Sequence, residues 1–310
     1  MLALFLGAGF SAWAVSLPVA RQLFSFDLEP FGPREEKRLA LVKALKASWD
    51  SAHPNCDSEQ FVAAALDFPK NGKEAVLWYL GRVLSEPFVW EEIHFGRVRR
   101  HTLMIDEYRK FQFSGVLKAQ KFLQTFLSPA LTGIVTTNYD LVIEYALGTR
   151  TFNYGNPYER LLGRGPYPVS QWRSPVILKG NMPLAKLHGS ISWDEHDRYT
   201  DGRRGLTGRA LIVPPTPEKQ TPDALRPVWQ AAERILRHAK KLLVFGFAFN
   251  PYDEATINLL REAGCKLESV LLIDPVPQIQ RASDIWPRSK IMACSSPPHD
   301  RGAINYWRLA

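Results

Sequence analysis

Short apolar runs alternate with longer amphipathic segments along most of this chain. Four of the runs occupy residues 2–6, 131–135, 241–249 and 269–273. Each has the length and the continuous apolar character of a strand that is buried on both faces. The segments between them, such as 223–240 and 253–263, carry apolar residues at helical spacing. The alternation predicts an α/β fold with a Rossmann-like, mainly parallel sheet flanked by helices.

A long helical stretch interrupts this alternation after the first strand and its turn. Between about Phe26 and Leu127, amphipathic segments are separated by breakers such as Pro54 and Pro69. Residues 149–183 are rich in Gly, Pro, Asn and Tyr, which predicts an irregular segment. No repeat is visible. We expect one domain over 1–310 with a helical insertion at about 26–127.

Composition narrows the class of protein without deciding it. The 310 residues are 45% hydrophobic and 23% charged, as in ordinary globular domains. The net charge of +8 can attract a phosphate-bearing ligand, a nucleic acid or an acidic protein, but its basic clusters are short. We therefore expect no direct nucleic-acid binding. Every apolar run is shorter than the roughly 20 residues that cross a bilayer, so no membrane association is expected either.

The cysteines predict neither a metal site nor disulfide bonds. Cys56, Cys265 and Cys294 are odd in number and form no C-x-x-C pair. A reducing, cytoplasmic setting is the expectation.

Glycines and polar residues stand where the predicted strands end. These positions are Gly7-Ala8-Gly9, Thr137-Asn138-Tyr139-Asp140, His188-Gly189-Ser190, Gly246-Phe247-Ala248 and Asp274. In open parallel sheets, ligands bind outside the carboxyl ends of the strands. We therefore expect these segments to converge on one crevice.

The first of these segments fits a phosphate-binding loop. Residues 7–12 match G-x-G-x-x-G/A, in which glycines let the backbone approach a pyrophosphate closely. The same spacing also suits a strand-to-helix turn that binds nothing. Pro18 falls where the crossover helix of a dehydrogenase would continue, and no second strand precedes Asp27 or Glu29. A plain dehydrogenase fingerprint is therefore not supported.

Two side chains at the strand ends are candidates for catalysis. Asn138 can donate and accept hydrogen bonds at once, which suits ordering a ribose hydroxyl or a water. The alternative is an Asx turn or a cap before a helix at about Leu141, with Asp140 as the better cap. An unperturbed imidazole titrates near neutrality, as general-base chemistry needs, so His188 is a candidate base; a histidine at a strand end also serves purely structural roles.

Taken in order, these segments resemble a known family. G-A-G-x-S at 7–11, T-T-N-Y-D at 136–140, H-G at 188–189 and G-F-A-F at 246–249 precede a strand that ends in Asp274. The chain is similar to the sirtuin-like family, and specifically to the bacterial branch of NAD-degrading effectors in antiphage systems. The resemblance implies a domain that binds NAD as its substrate and cleaves the bond between nicotinamide and ribose without a metal.

The resemblance implies roles for individual residues at the reacting end of NAD. The phosphates would be cradled by Gly7, Ala8, Gly9 and Ser11. Asn138 would hold the nicotinamide ribose or position the attacking water, and His188 would act as the base. Asp140 or the amide oxygen of Asn138 would stabilise the positive charge that develops on the sugar.

It also implies roles at the adenosine end. Gly246 and Phe247 would pack close to the adenosine half, and Asp274 would bind its ribose hydroxyls. A carboxylate there repels a 2′-phosphate, so NAD should be preferred over NADP.

The sequence departs from the protein-deacetylase sirtuins. Their four zinc-binding cysteines are missing. Their glycine motif continues into a segment with an Asp and an Arg before an aromatic residue, whereas here it continues into "AWAVSLPVARQL". Hydrolysis of NAD to nicotinamide and ADP-ribose is therefore the prediction. The alternatives are an NAD-dependent protein deacylase and a non-catalytic sensor of NAD or ADP-ribose. The resemblance further implies control through a homo-oligomer or a partner defence protein, such as an ATPase or an Argonaute-like protein.

Overall fold

The strand at the centre of the fold, β1 (Leu2–Leu6), is buried along its whole length. It belongs to a computed structural model that describes residues 1–30, 32–85, 89–94, 97–102, 114–147, 152–153, 182–194, 210–216, 221 and 223–295.

The remaining elements follow in chain order. The other strands are β2 (Val89–His94), β3 (Arg97–Thr102), β4 (Leu131–Thr136), β5 (Phe152–Asn153), β6 (Met182–Lys186), β7 (Gly189–Asp194), β8 (Ala210–Ile212), β9 (Lys241–Phe245), β10 (Ser269–Ile273) and β11 (Lys290–Cys294). The α-helices are α1 (Ala8–Val15), α2 (Pro33–Ala52), α3 (Ser58–Ala65), α4 (Lys70–Ser85), α5 (Ser114–Gln124), α6 (Val142–Leu147), α7 (Arg226–Arg237), α8 (Glu254–Ala263) and α9 (Ile279–Ile285). Among the described residues, no helix is both long enough and apolar enough to span a bilayer.

The main sheet has seven strands in the order β11-β10-β9-β1-β4-β6-β5. Every neighbouring pair in it runs parallel. Apart from the two-residue β5, the chain first adds β4 and β6 on one side of β1. It then returns to add β9, β10 and β11 on the other side. This is the doubly wound order of Rossmann folds, and it confirms the predicted fold class.

The long connection between β1 and β4 holds the predicted helices α2 to α5, together with one element that the prediction missed. Strands β2 and β3 form an antiparallel pair in the stretch that we expected to be mainly helical. In the register of this pair, Ile93 lies opposite Val98 and Val89 opposite Thr102. Valine, isoleucine and threonine favour strand conformation, a preference that the basic pattern of 97–101 concealed. Most of the predicted irregular segment at 149–183 lies outside the described residues.

Two hydrophobic cores meet on helix α4. Leu77, Leu80 and Leu84 belong to the core that includes the strands of the main sheet. From the same helix, Val76 and Tyr79 belong to a second core, which is formed with α2 and α3. The helices of the insertion are therefore packed into the sheet domain rather than appended to its surface.

The glycine-containing segments that follow β1 and β9 are in backbone contact at the carboxyl ends of these two neighbouring strands. The Gly9 amide donates to the carbonyl oxygen of Gly246 at 2.9 Å, and Gly246 has a left-handed backbone with φ 65°. A Cβ at residue 246 would lie 2.4 Å from Gly9 Cα, and one at residue 7 would lie 2.4 Å from Gly246 O. Close backbone packing therefore explains all three glycines.

We predict that Gly246→Ala lowers the free energy of unfolding by at least about 2 kcal/mol. The added methyl group meets immobile backbone, and alanine pays for the left-handed conformation as well. Urea denaturation followed by circular dichroism measures the change. Ala248→Ser, at an exposed position two residues further along, is the control and should stay within about 0.5 kcal/mol of the native chain. Equal stability of the two variants would contradict this account of the contact.

Candidate functional site

A cavity of about 130 Å³ opens at the carboxyl ends of β1, β4 and β6. The first turn of α1, the loop after β4, the insertion and the turn after β9 all contribute to its lining. Its lining consists of Ala8, Ser11, Pro18, Ala20, Leu23, Glu59, Leu80, Leu84, Thr137, Asn138, Tyr139, Asp140, His188, Ile212, Pro215 and Asp253.

Pro18 reaches this wall because α1 is short. The helix ends at Val15, where Ser16 adopts a left-handed backbone with φ 59°. The chain then turns back along the cavity instead of continuing as a long crossover helix.

Asn138 is fixed by its hydrogen bonds to the loop after β1. Its amide nitrogen donates to the carbonyl oxygen of Gly7 and to Ser11 Oγ, each at 2.9 Å. The Gly7 carbonyl can only accept, so the nitrogen must face it and the orientation of the amide is settled. Both donor hydrogens are thereby used, which leaves the amide oxygen of Asn138 as the group to accept from a ligand.

Asp140 forms an Asx turn at the start of the short helix α6, which is one of the alternatives that the sequence left open. Its carboxylate accepts from the backbone amide of Val142 at 3.0 Å. Beneath it, the ammonium group of Lys186 donates to the Asp140 carbonyl oxygen and to Glu144 Oε1, the latter at 2.8 Å. The side chains of Lys186 and Glu144 are completely buried.

Burial dominates the protonation of these two acids. Desolvation raises the pKa of Asp140, while Lys186, the Val142 amide and the Ser11 hydroxyl act in the opposite direction. Desolvation likewise raises the pKa of Glu144 against the attraction of Lys186. The lysine is thus the cation that partly compensates two buried carboxyl groups.

His188 lies in the turn between β6 and β7 and is only 4% exposed. Its Nε2 lies 3.6 Å from Asp253 Oδ1, which is within reach of an ion pair but longer than a hydrogen bond. The ring of Tyr139 packs beside it with 5.9 Å between centroids. The Val213 amide donates to the His188 carbonyl at 2.8 Å, which ties the turn to the segment after β8.

Two acidic residues of the lining were not predicted from the sequence. Glu59 comes from α3 of the insertion, and Asp253 comes from the turn before α8. Glu59 is buried, and its Oε2 accepts from Asn250 Nδ2 at 3.0 Å. For Asp253, the sequence offers one local signal, because "GFAFNPYDE" places an acidic residue in a polar stretch after an apolar strand. Ligand sites lie at such ends of parallel strands.

The predicted site residues divide into two groups. Ala8, Ser11, Asn138, Asp140 and His188 line the cavity together. The remaining predicted residues, which do not line it, are Gly7, Gly9, Gly246, Phe247 and Asp274.

The second group makes contacts within the protein instead. Phe247 packs edge-on against Phe5 with 4.9 Å between centroids. Asp274 is half-buried, and its carboxylate accepts from the Val276 amide at 2.9 Å. The roles in nucleotide binding that were assigned to this group stay predictions.

The described lining is acidic. Its carboxyl groups belong to Glu59, Asp140 and Asp253, and it includes no lysine or arginine. Within the part of the chain that the structure describes, no group of three or more His, Cys, Asp or Glu residues could hold a metal ion. The carboxyl groups stand among apolar side chains such as Leu80, Leu84 and Ile212. They can accept hydrogen bonds from hydroxyl groups and can stabilise a cationic centre.

These features define a Rossmann-like α/β protein with a candidate site at the carboxyl ends of its strands. Comparison with known protein families finds no matching family. Comparison with curated proteins likewise finds no match. Among solved structures, the chain is similar to one reported as "Structural Basis for the Mechanism and Regulation of Sir2 Enzymes", with 13% identity, 100% of this chain and 93% of that chain covered, and a TM-score of 0.41. A likeness this remote transfers neither an activity nor a residue role.

We predict that Lys186→Met destabilises the protein by about 3–5 kcal/mol, because it leaves buried carboxyl groups without their cation. The double variant Lys186→Met/Glu144→Leu should recover part of the loss. Lys240→Met is the control, since it breaks an exposed pair with Glu268 (3.0 Å) and should cost less than about 1 kcal/mol. Chemical denaturation measures all three variants.

The deficit of Lys186→Met should also depend on pH. Raised pKa values mean that the native state retains protons that the unfolded state has released, so stability falls as the pH rises. Removing the lysine enlarges this difference, and the deficit should be larger at about pH 8 than at about pH 5. A deficit that does not change with pH would show that the lysine does not act through these carboxyl groups.

Proposed function

We propose that this protein is an NAD glycohydrolase, which converts NAD and water to nicotinamide and ADP-ribose. The observation that carries the proposal is the meeting of Asn138 and His188 in one cavity beside the first turn of α1. The two residues come from different strand ends, and the resemblance implies for Asn138 a hold on the nicotinamide ribose or on the attacking water, and for His188 the role of base toward a ribose hydroxyl or that water.

The chemistry proposed for the cavity follows from its groups. The bond between the ribose C1′ and the pyridinium nitrogen breaks, and its electron pair stays with nicotinamide, which leaves as a neutral molecule. Positive charge then develops on the sugar, where the Asn138 amide oxygen and the acidic lining stabilise it. Water attacks C1′ and passes a proton to the imidazole of His188.

The size of the cavity limits which part of NAD it accepts. About 130 Å³ is less than the roughly 300–1,000 Å³ of pockets that enclose a whole small-molecule ligand. An acidic lining also disfavours a pyrophosphate. The proposal therefore assigns the cationic nicotinamide ribose to the cavity and the phosphates to its mouth, near the exposed Ala8 at the start of α1.

We predict that the purified protein releases nicotinamide and ADP-ribose from NAD, and more slowly from NADP. Asn138→Ala and His188→Ala should each lower kcat/KM by about 100-fold or more, as expected for lost charge stabilisation and a lost general base. Chromatography of the products measures the rates. His238→Ala, which changes an exposed histidine at the end of α7, is the control and should retain full activity.

Other outcomes of this assay identify the alternatives. O-acyl-ADP-ribose formed from NAD and an acylated peptide would show a protein deacylase. Tight binding of NAD or ADP-ribose without turnover would show a sensor. Full activity in both variants would show that the reaction takes place elsewhere.

We further propose that the enzyme is a regulated effector of an antiphage, abortive-infection type of defence. Continuous hydrolysis of NAD would deplete the cell that makes the enzyme, so its activity needs control from outside the cavity. Helices of the insertion supply Glu59, Leu80 and Leu84 to the cavity wall. A partner bound to those helices would therefore act on the cavity through residues that line it.

We predict that the active form is an assembly of several chains, either of this protein or with a partner. Light scattering coupled to size-exclusion chromatography should give a mass above the 35.2 kDa of one chain, and NAD hydrolysis should rise with the assembled fraction. Full activity in a fraction that contains monomers alone would contradict this proposal.

A further inference from the structure

We propose that Asp253 is a positioning residue for His188. A hydrogen bond that Glu59 accepts from Asn250, the cap of the turn bearing Asp253, couples this positioning to helix α3 of the insertion. The inference rests on the proposed function and adds to it a positioning residue and a route of control. It names side chains that no motif of the sequence indicated.

The first step is the pairing of the imidazole with the carboxylate. His188 Nε2 and Asp253 Oδ1 lie 3.6 Å apart, and both side chains are largely buried, at 5% and 12% exposure. Contacts of a general base are often long in a ligand-free site and shorten when substrate binds. A carboxylate at this ring nitrogen selects the tautomer of the imidazole and stabilises the imidazolium that forms when it takes a proton.

Carboxyl groups lie near His188 in the described part of the chain. Tyr139 packs against the ring, but burial raises its pKa well above the usual value, so its hydroxyl stays neutral. Glu59 and Asp140 line the same cavity. The Asp253 carboxylate lies 3.6 Å from Nε2 of the ring.

The second step is the turn that places Asp253. Residues Pro251–Asp253 form a single 3₁₀ turn that is capped by Asn250, whose Oδ1 accepts from the Tyr252 amide at 3.0 Å. The Asp253 amide donates to the Asn250 carbonyl at 2.8 Å. On the other side of the turn, Arg281 donates to the carbonyl of Phe249. These bonds fix the backbone of Asp253 relative to Asn250.

The third step connects Asn250 to the insertion. Its side-chain nitrogen donates to Glu59 Oε2 at 3.0 Å. Glu59 stands in the first turn of α3, which is held by a capping box between Asp57 and Gln60, with bonds of 2.9 and 2.8 Å. A shift of α3 is therefore transmitted through Asn250 to the turn of Asp253, and from there to the imidazole.

The experiment begins with Asp253→Asn, which keeps the shape of the side chain and removes its charge. We expect kcat for NAD to fall by about 10- to 100-fold, as for other groups that orient a functional histidine, while KM changes little. The acidic limb of the pH profile of kcat/KM should move to lower pH, because the imidazolium loses its stabilising carboxylate. Asp223→Asn, at a side chain that is 92% exposed, is the control and should match the native enzyme.

A titration that needs no turnover separates this inference from the proposed function. The pH titration of His188, followed by NMR in the native protein and in Asp253→Asn, should show a lower midpoint in the variant. That shift would support the pairing even if NAD is not hydrolysed. Identical midpoints, or a loss of kcat with an unmoved pH profile, would overturn the role of Asp253.

The coupling to α3 is tested by two changes at one position. Glu59→Gln keeps an oxygen that can accept from Asn250, whereas Glu59→Ala removes it. We expect kcat to fall more in Glu59→Ala than in Glu59→Gln, and the titration midpoint of His188 to change more in Glu59→Ala. Equal effects of the two variants would show that the charge of Glu59 matters rather than its hydrogen bond, and this would overturn the coupling. Thermal unfolding of each variant identifies any effect that comes from a loss of folded protein.

Discussion

One buried ammonium group holds the candidate site in place. Lys186 ends strand β6 and reaches beneath the loop after β4, where it binds the Asp140 carbonyl and the Glu144 carboxylate. These contacts join two neighbouring strands and helix α6 at the point where the loop carries Asn138 and Asp140 toward the cavity. Burying a lysine costs several kcal/mol, and partners of opposite charge offset much of that cost. The loop is therefore fixed in one arrangement, since any other would leave a charge unpaired in the interior.

Close contact between backbone segments explains the glycine motif. Gly7, Gly9 and Gly246 are needed because two backbone segments touch where the strand order reverses between β1 and β9. In other doubly wound proteins the nucleotide lies at that reversal. Here the amides of Gly7 and Gly9 are used by β9 and the residue after it, and the cavity lies on the β4 and β6 side. A fingerprint of spacing can thus be satisfied by packing alone, and ligand binding must be argued from the residues around the cavity.

The strands and part of the candidate site could be predicted from the sequence. Apolar runs revealed the strands, and because parallel strands end at one edge of the sheet, Asn138 and His188 were expected to meet. Lys186, Glu59 and Asp253 were missed for a common reason. Each acts through a contact between elements far apart in the chain, and neither periodicity nor local spacing records how a helix or a turn approaches the sheet. The β2–β3 pair was missed because a basic, polar stretch carries little of the apolar pattern on which the assignment of strands depends.

The insertion then becomes part of the site rather than an addition to it. Helix α4 joins both cores, and its Leu80 and Leu84 line the cavity, while α3 supplies Glu59. A densely packed helix of this kind does not move without repacking the cores on both of its sides. A partner that binds the outer surface of the insertion can therefore alter the cavity wall without contacting a ligand inside the cavity. Since the catalytic candidates come from the sheet and the acids Glu59 and Asp253 come from outside it, the position of the insertion decides how the two sets face each other.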